Sequence, residues 1–220
     1  MTRFSFFLLA VALVCFTFSC ESNERIVGSN NITTEIRDVS GFTGVEISSA
    51  LNANITFGTE FNVTVRANDN VQDRVLVRRS GDMLEVKLAS GNYREIDVTI
   101  DITMPALEEV EVSGASKVDV VGFVNIQDLS IDVSGASNLD FESATTVADL
   151  SAAISGASTA SLFSLTATQA DVNISGASSL SLTATDSISG SVTGASTLRY
   201  RGNPSITANT SGASNIVNAN

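Results

Sequence analysis

Carboxylates are the side chains in this sequence whose types and spacing suit chemistry. Glu111 and Asp132 stand 21 residues apart, and so do Asp119 and Asp140. In a chain that repeats at that interval each pair would lie side by side, and glycoside hydrolysis needs only two carboxyl groups at a suitable separation. Little else serves catalysis. The 220 residues include no histidine, which excludes histidine-containing triads and histidine-ligated zinc, and the two cysteines, Cys15 and Cys20, both stand near the start. A carboxylate-dependent enzyme acting on polysaccharide is thus the alternative to a noncatalytic protein, and the weaker one. The same columns continue as Ala153, Asn173, Ser161 and Ser181, which fits a solvated outer face better than a catalytic cleft.

The elements that would position these groups come from a repeated tetrapeptide. Ser/Thr-Gly-Ala-Ser is centred on Gly114, Gly135, Gly156, Gly176, Gly194 and Gly212, at spacings of 21, 21, 20, 18 and 18, with a degenerate copy at Ser48-Ser49-Ala50-Leu51. A period near twenty marks a stack of small units. Counted from each glycine, position −2 holds Val112, Val133, Ile154, Ile174, Val192 and Thr210, and position +4 holds Val118, Leu139, Ala160, Leu180, Leu198 and Ile216. Positions −4 and +6 are largely apolar and those between are polar, the period-two pattern of half-buried strands.

Two folds compete for this pattern. A two-residue hairpin at each Gly-Ala would set Val112 beside Lys117 and Ile174 beside Ser179 on one face, which mixes polarity in every unit. Coiling the chain once per repeat pairs each strand with its equivalent about 4.8 Å along the axis and keeps every column uniform. The expected fold is therefore all-β, a right-handed parallel β-helix or β-solenoid with coils of about 18–23 residues, with stacked antiparallel hairpins as the alternative. The glycines then serve as structural turns, the alanines fill a narrow corner, and the serines bond to backbone or to one another. The second serine column, Ser116 to Ser214, has the parity of the apolar columns and should point inward. Residues 205–220, where Thr210 and Asn218 replace apolar residues, read as a closing coil. The N-terminal half reads as further coils, with turns at Asn68-Asp69-Asn70 and Ser90-Gly91-Asn92.

Location is written in the first residues. A short basic start is followed by the apolar run Phe4 to Phe18, too short to span a bilayer comfortably, which is an export signal over residues 1–19. Thr17-Phe18-Ser19 before Cys20 resembles a loose bacterial lipobox, which implies lipidation of Cys20 and a tether over 20–25 ahead of a single repeat domain over 26–220. The expected address is the outer membrane or cell surface. Loss of Arg3 with the signal leaves 11 basic against 24 acidic residues, a surface that repels nucleic acid. No metal site and no cofactor is expected; the best calcium candidate, Asn68-Asp69-Asn70 with Asp73, lacks the glycine and distal glutamate of an EF-hand loop.

Asp38-Val-Ser-Gly-Phe42, Val45-Glu-Ile47, Asn54-Ile-Thr-Phe-Gly58, Val63-Thr-Val65, Leu84-Glu-Val-Lys-Leu88 and the repeated Val-Ser-Gly-Ala-Ser make the chain similar to the putative autotransporter adhesin head (GIN) domain, the DUF2807 family. The resemblance covers about residues 26–220. It implies an all-β solenoid-like exported domain, often on lipoproteins of Bacteroidota, and carries over no catalytic residues. The function expected is that of a noncatalytic cell-envelope lipoprotein with an adhesin-like or ligand-binding surface for a glycan or protein, a purely structural role being a further alternative. The polar columns are where recognition is expected: Glu111, Asp132 and Asn173 at −3, Lys117 and Asn138 at +3, Asp119 and Asp140 at +5.

Overall fold

Alternating polarity buries one face of every strand, and the computed structural model shows what each buried face meets. It describes residues 25–220; the signal segment, Cys20 and all of the tether except Arg25 lie outside the described residues. The first nine strands are β1 (Arg25–Val27), β2 (Ile32–Arg37), β3 (Gly44–Ile47), β4 (Asn52–Phe57), β5 (Asn62–Asn68), β6 (Val75–Ser80), β7 (Met83–Leu88), β8 (Asn92–Arg94) and β9 (Val98–Met104). The repeats supply β10 (Glu109–Val112), β11 (Lys117–Val121), β12 (Asn125–Val133), β13 (Asn138–Phe141), β14 (Thr145–Ile154), β15 (Thr159–Ile174), β16 (Ser179–Val192), β17 (Thr197–Arg201), β18 (Ser205–Ile206), β19 (Asn209–Thr210) and β20 (Asn215–Asn218).

From β10 onward the chain is a parallel β-solenoid. Val112 pairs with Val133, Ile154 with Ile174, Ile174 with Val192 and Leu180 with Leu198, each one repeat apart. The hairpin alternative is excluded by this register. All four apolar columns run through one continuous core, in which Val112, Val133, Ile154, Ile174, Leu139 and Leu180 are buried. The shortening from 20 to 18 residues has a local cause. Leu162 pairs with Leu182 but the next pair is Thr166 with Thr183, so the following coil omits Phe163-Ser164-Leu165, and between the pairs Ala167–Ala184 and Gln169–Ser187 it regains one residue.

The N-terminal half corrects the expectation of further coils laid down in chain order. β3 and β4, which carry the degenerate copy, lie directly against β10 and β11: Ile47 pairs with Val112 and Asn52 with Lys117. No coil separates Ser49 from Gly114, although 65 residues do. The intervening chain instead runs outward to build an end cap. β7 and β9 form one more parallel layer beneath β3 and β4. β6 then pairs antiparallel with β7, while β5 pairs antiparallel with β9 and β2 with β5. The Asn68-Asp69-Asn70 turn leads into a 3-10 segment at Gln72–Arg74, and β8 pairs with β1 beside the Ser90-Gly91 bend. Antiparallel strands at an end suit a solenoid, because they stop the propagation of a parallel edge that another chain would extend.

Candidate functional site

Each repeat turn is held by a backbone stack that leaves no room for side chains. Gly156 has φ +75°, and a Cβ on it would stand 2.4 Å from the carbonyl oxygen of Gly135; Gly176 meets Gly156 in the same way. The amide of Ala157 donates to the Gly135 carbonyl at 2.9 Å and that of Ala177 to the Gly156 carbonyl at 2.8 Å. The alanines themselves are exposed, so the narrow-corner reading of them was wrong. Tight stacking resides in the glycines.

The second serine column does point inward, with Ser116, Ser137, Ser158, Ser178 and Ser196 all at most 2 % exposed. Past the bend the serine amide meets the hydroxyl of the next coil. Ser116 N–H donates to Ser137 Oγ at 3.2 Å, Ser137 N–H to Ser158 Oγ at 3.3 Å, and Ser158 N–H to Ser178 Oγ at 3.4 Å. A buried amide without such an acceptor would cost about 1–3 kcal/mol. These hydroxyls are therefore committed to the fold and form no outer array.

The proposed polar columns fall into two groups on either side of this turn. Glu111, Asp132 and Asn173 belong to the strands before it, with Glu111 flanked in register by Glu46 and Asp132. Desolvation first, and then the charges of Glu109, Glu46 and Asp132, hold the Glu111 carboxyl above its usual range. Lys117, Asn138, Asp119 and Asp140 belong to the strands after it, where Lys117 and Asn138 are neighbours and Asp119 and Asp140 are neighbours. The Lys117 ammonium lies 2.7 Å from the Asp119 carboxylate, and that hydrogen bond, against some desolvation, raises the lysine above its ordinary value.

Asp69 has both carboxylate oxygens engaged. It accepts from Ser29 Oγ at 2.5 Å and Asn31 Nδ2 at 2.9 Å, bonds that hold its carboxyl below the usual range. Asn68 and Asn70 donate to the carbonyls of Ser29 and Val27. This turn fastens the entering chain to the cap. Among the described residues, no three His, Cys, Asp or Glu side chains gather as a metal site.

The concave feature of the surface lies elsewhere. A groove of about 820 Å³ runs across the outer faces of β12, β14, β15 and β16. Two columns that the sequence reading overlooked line it, seven and five residues before each glycine: Asp128, Asp149, Gln169 and Ser187, then Ser130, Ser151, Asp171 and Ser189. The spacing of Asp128 to Asp149 is the repeat spacing, so the periodic signal was present. Toward the cap the lining turns apolar, with Phe57, Pro105, Leu107, Phe123 and Val124. Phe57 packs edge-on to Phe123 at 5.9 Å and stays 45 % exposed, and Val124 is 60 % exposed. Only the chain reversal through the cap brings Phe57 to Phe123, and no sequence spacing signals it. Glu111 and Asp132 lie outside this groove.

The carboxylates in the groove share one sheet face. Asp128, Asp149, Asp171 and Glu108 make no ion pair among the described residues, and Asp171 accepts from Ser189 Oγ at 3.1 Å and Asn173 Nδ2 at 3.2 Å. A hydrolytic pair must flank the scissile bond; Asp128, Asp149 and Asp171 instead stand side by side on neighbouring strands, with Glu108 just ahead of β10.

Comparison with known proteins agrees with this architecture. A crystal structure described as a putative adhesin from Bacteroides fragilis superposes with a TM-score of 0.70 at 19 % identity, covering 88 % of this chain and 97 % of that one. A structure from Parabacteroides distasonis, described as a putative lipid binding protein, gives 0.62 at 15 % identity and covers 90 % and 100 %. A putative adhesin from Parabacteroides merdae gives 0.56 at 12 % identity, covering 89 % and 99 %. A search of curated proteins returns no match. The family model described as "Putative auto-transporter adhesin, head GIN domain" (DUF2807) matches residues 41–204, most of the stack and its cap, and the chain belongs to that family.

Proposed function

We propose that this protein is a noncatalytic, exported envelope lipoprotein, anchored through Cys20, whose rigid solenoid holds out an adhesin-like surface for a glycan or protein ligand. The observation that carries the binding role is the groove across β12, β14, β15 and β16, a concavity of about 820 Å³ with polar walls and an apolar end. That volume lies within the range of specific ligand sites, and the combination of apolar surface with a few placed polar groups is their usual composition. Membership of an adhesin family supports the same reading. The chain supplies no histidine or free thiol beyond the signal for catalysis, and the carboxylate pairs singled out from sequence lie outside the groove, on partly exposed sheet faces.

The test has two arms. Mass spectrometry of the mature N-terminus should find a lipid-modified peptide beginning at Cys20; an unmodified peptide starting elsewhere would remove the anchor. Cells displaying the protein should bind host matrix or glycan surfaces, and Phe57→Ala with Asp149→Asn should reduce that binding. Unchanged adhesion in the double variant would move the binding surface away from the groove.

A further inference from the structure

Within the groove, the carboxylates are spaced by the fold itself. Asp128 and Asp149 are register partners at the strand separation of about 4.8 Å, Asp171 pairs with Ser151 one coil further on and so stands two residues along the strand from them, and Glu108, just ahead of β10, lies one coil earlier; the oblique line through the four spans roughly 16 Å. Among the described residues, no cation forms an ion pair with them. Between Lys117 and Arg199 the sequence has no lysine or arginine, and Lys117 is engaged by Asp119 on the strands beyond the turn. The groove also has an apolar margin, with Phe57 on the cap side and Val124 four residues ahead of Asp128 on the same coil, both exposed.

We propose that the groove receives an extended cationic polypeptide segment, with lysine or arginine at every second position and an apolar residue at one end. The inference rests on the groove being the binding site. In an extended chain, side chains on one face recur every two residues, about 6.7 Å. Cations at i, i+2 and i+4 therefore span about 13 Å, and the reach of their flexible side chains covers the oblique line of roughly 16 Å from Glu108 to Asp171, with the middle cation between Asp128 and Asp149. The apolar residue then falls on the Phe57 and Val124 shelf. Ser130, Ser151 and Gln169 beside the carboxylates supply hydroxyl and amide groups for the peptide backbone. A neutral glycan would use the aromatic shelf but leave the row of charge without a counterpart, which is why the electrostatics favour the cationic chain.

The probe is an acetylated and amidated peptide, Phe-Ser-Lys-Ser-Lys-Ser-Lys, titrated into the full mature protein by calorimetry. A version with glutamine at each lysine should bind about tenfold more weakly, since three exposed ion pairs of about 0.5 kcal/mol each are lost. Asp128→Asn with Asp149→Asn should weaken the lysine peptide by about fivefold to tenfold, leave the glutamine peptide unchanged and flatten the salt dependence. Phe57→Ala should weaken both peptides alike. All three substitutions are at exposed positions, and unchanged thermal unfolding would verify the fold. Equal affinity for the lysine and glutamine peptides, or no loss in the aspartate double variant, overturns the proposal. Binding of a neutral oligosaccharide alone, abolished by Phe57→Ala, overturns the cationic ligand and retains the groove. Absence of binding by any probe, together with unchanged cell adhesion in the groove variants, overturns both.

Discussion

The cap and the stack are made from the same kind of strand but are held together differently. In the stack, from β12 onward, each strand lies on the segment one repeat earlier, so like commonly meets like: glycine on glycine, serine on serine, carboxylate on carboxylate. In the cap, strands pair out of chain order and partly antiparallel, and unlike residues meet: Arg78 with Glu85, Asn68 with Ser29, Asp69 with Asn31. The difference teaches what repetition does to a surface. Parallel stacking can turn a charged position into a like-charged row, as with Glu46, Glu111 and Asp132, whereas the antiparallel crossing of β6 and β7 gives Glu85 an arginine partner. It also leaves the groove's carboxylates without cations of their own.

The largest test of this contrast is at the glycines. Gly156→Ala should cost about 4 kcal/mol, because left-handed strain of about 1–3 kcal/mol adds to overpacking of similar size against Gly135. Gly81→Ala, in the turn between β6 and β7, has φ +61° with nothing within 4 Å, and should cost about 1 kcal/mol. Urea denaturation measures both, and equal losses would mean that the repeat turns are not tightly stacked. Next in size, Ile154→Ala should cost about 3 kcal/mol as a fully buried column residue, while Ile36→Ala, 73 % exposed on β2, should stay within about 0.5 kcal/mol. A larger loss at Ile36 would show that the cap is covered in solution.

The serine ladder gives a smaller effect. Ser137→Ala should cost about 2 kcal/mol by leaving the Ser116 amide without its acceptor, and Ser134→Ala should fall within about 0.5 kcal/mol. Equal effects would return the two serine columns to a common role.

The pH response should separate the regions by sign. Glu111 is raised in the folded protein, so the desolvation of its carboxylate, together with the repulsion from Glu109, Glu46 and Asp132, costs stability above its folded pKa and is relieved as pH falls through it toward the ordinary glutamate value of 4.5. Glu111→Gln should therefore raise the melting temperature at neutral pH, with the gain shrinking as the solution is acidified. Asp69 and Glu85 in the cap are lowered by Ser29 and Arg78 respectively, so their contributions are complete above 3.8 and 4.5 and are lost as pH falls through their folded values. Acid thus relaxes the stack at higher pH than it loosens the cap. A gain for Glu111→Gln that persists in acid would contradict the stacked-charge account.

Particular residues show how far reading the chain could go. Val112, Ile154 and Leu180 were assigned to their columns correctly because one repeat is both the sequence interval and the spatial neighbour. Ser137 was placed inward by parity alone. Asp128 and Asp149 carried the same periodic signal, yet an exposed aspartate in a polar column looks alike on a flat face and in a groove. Phe57 carried none, since its neighbour Phe123 is reached only through the folded cap.

The sequence by itself determined the period, the four apolar columns, the turn and the inward serines, because each follows from local alternation and from backbone sterics at glycine. Tertiary structure decided that Ser49 lies against Gly114, that the intervening chain caps the stack, and that a groove opens beside Phe57. The physical reason is that alternation encodes which face of a strand is buried, and the same buried face serves a parallel or an antiparallel neighbour.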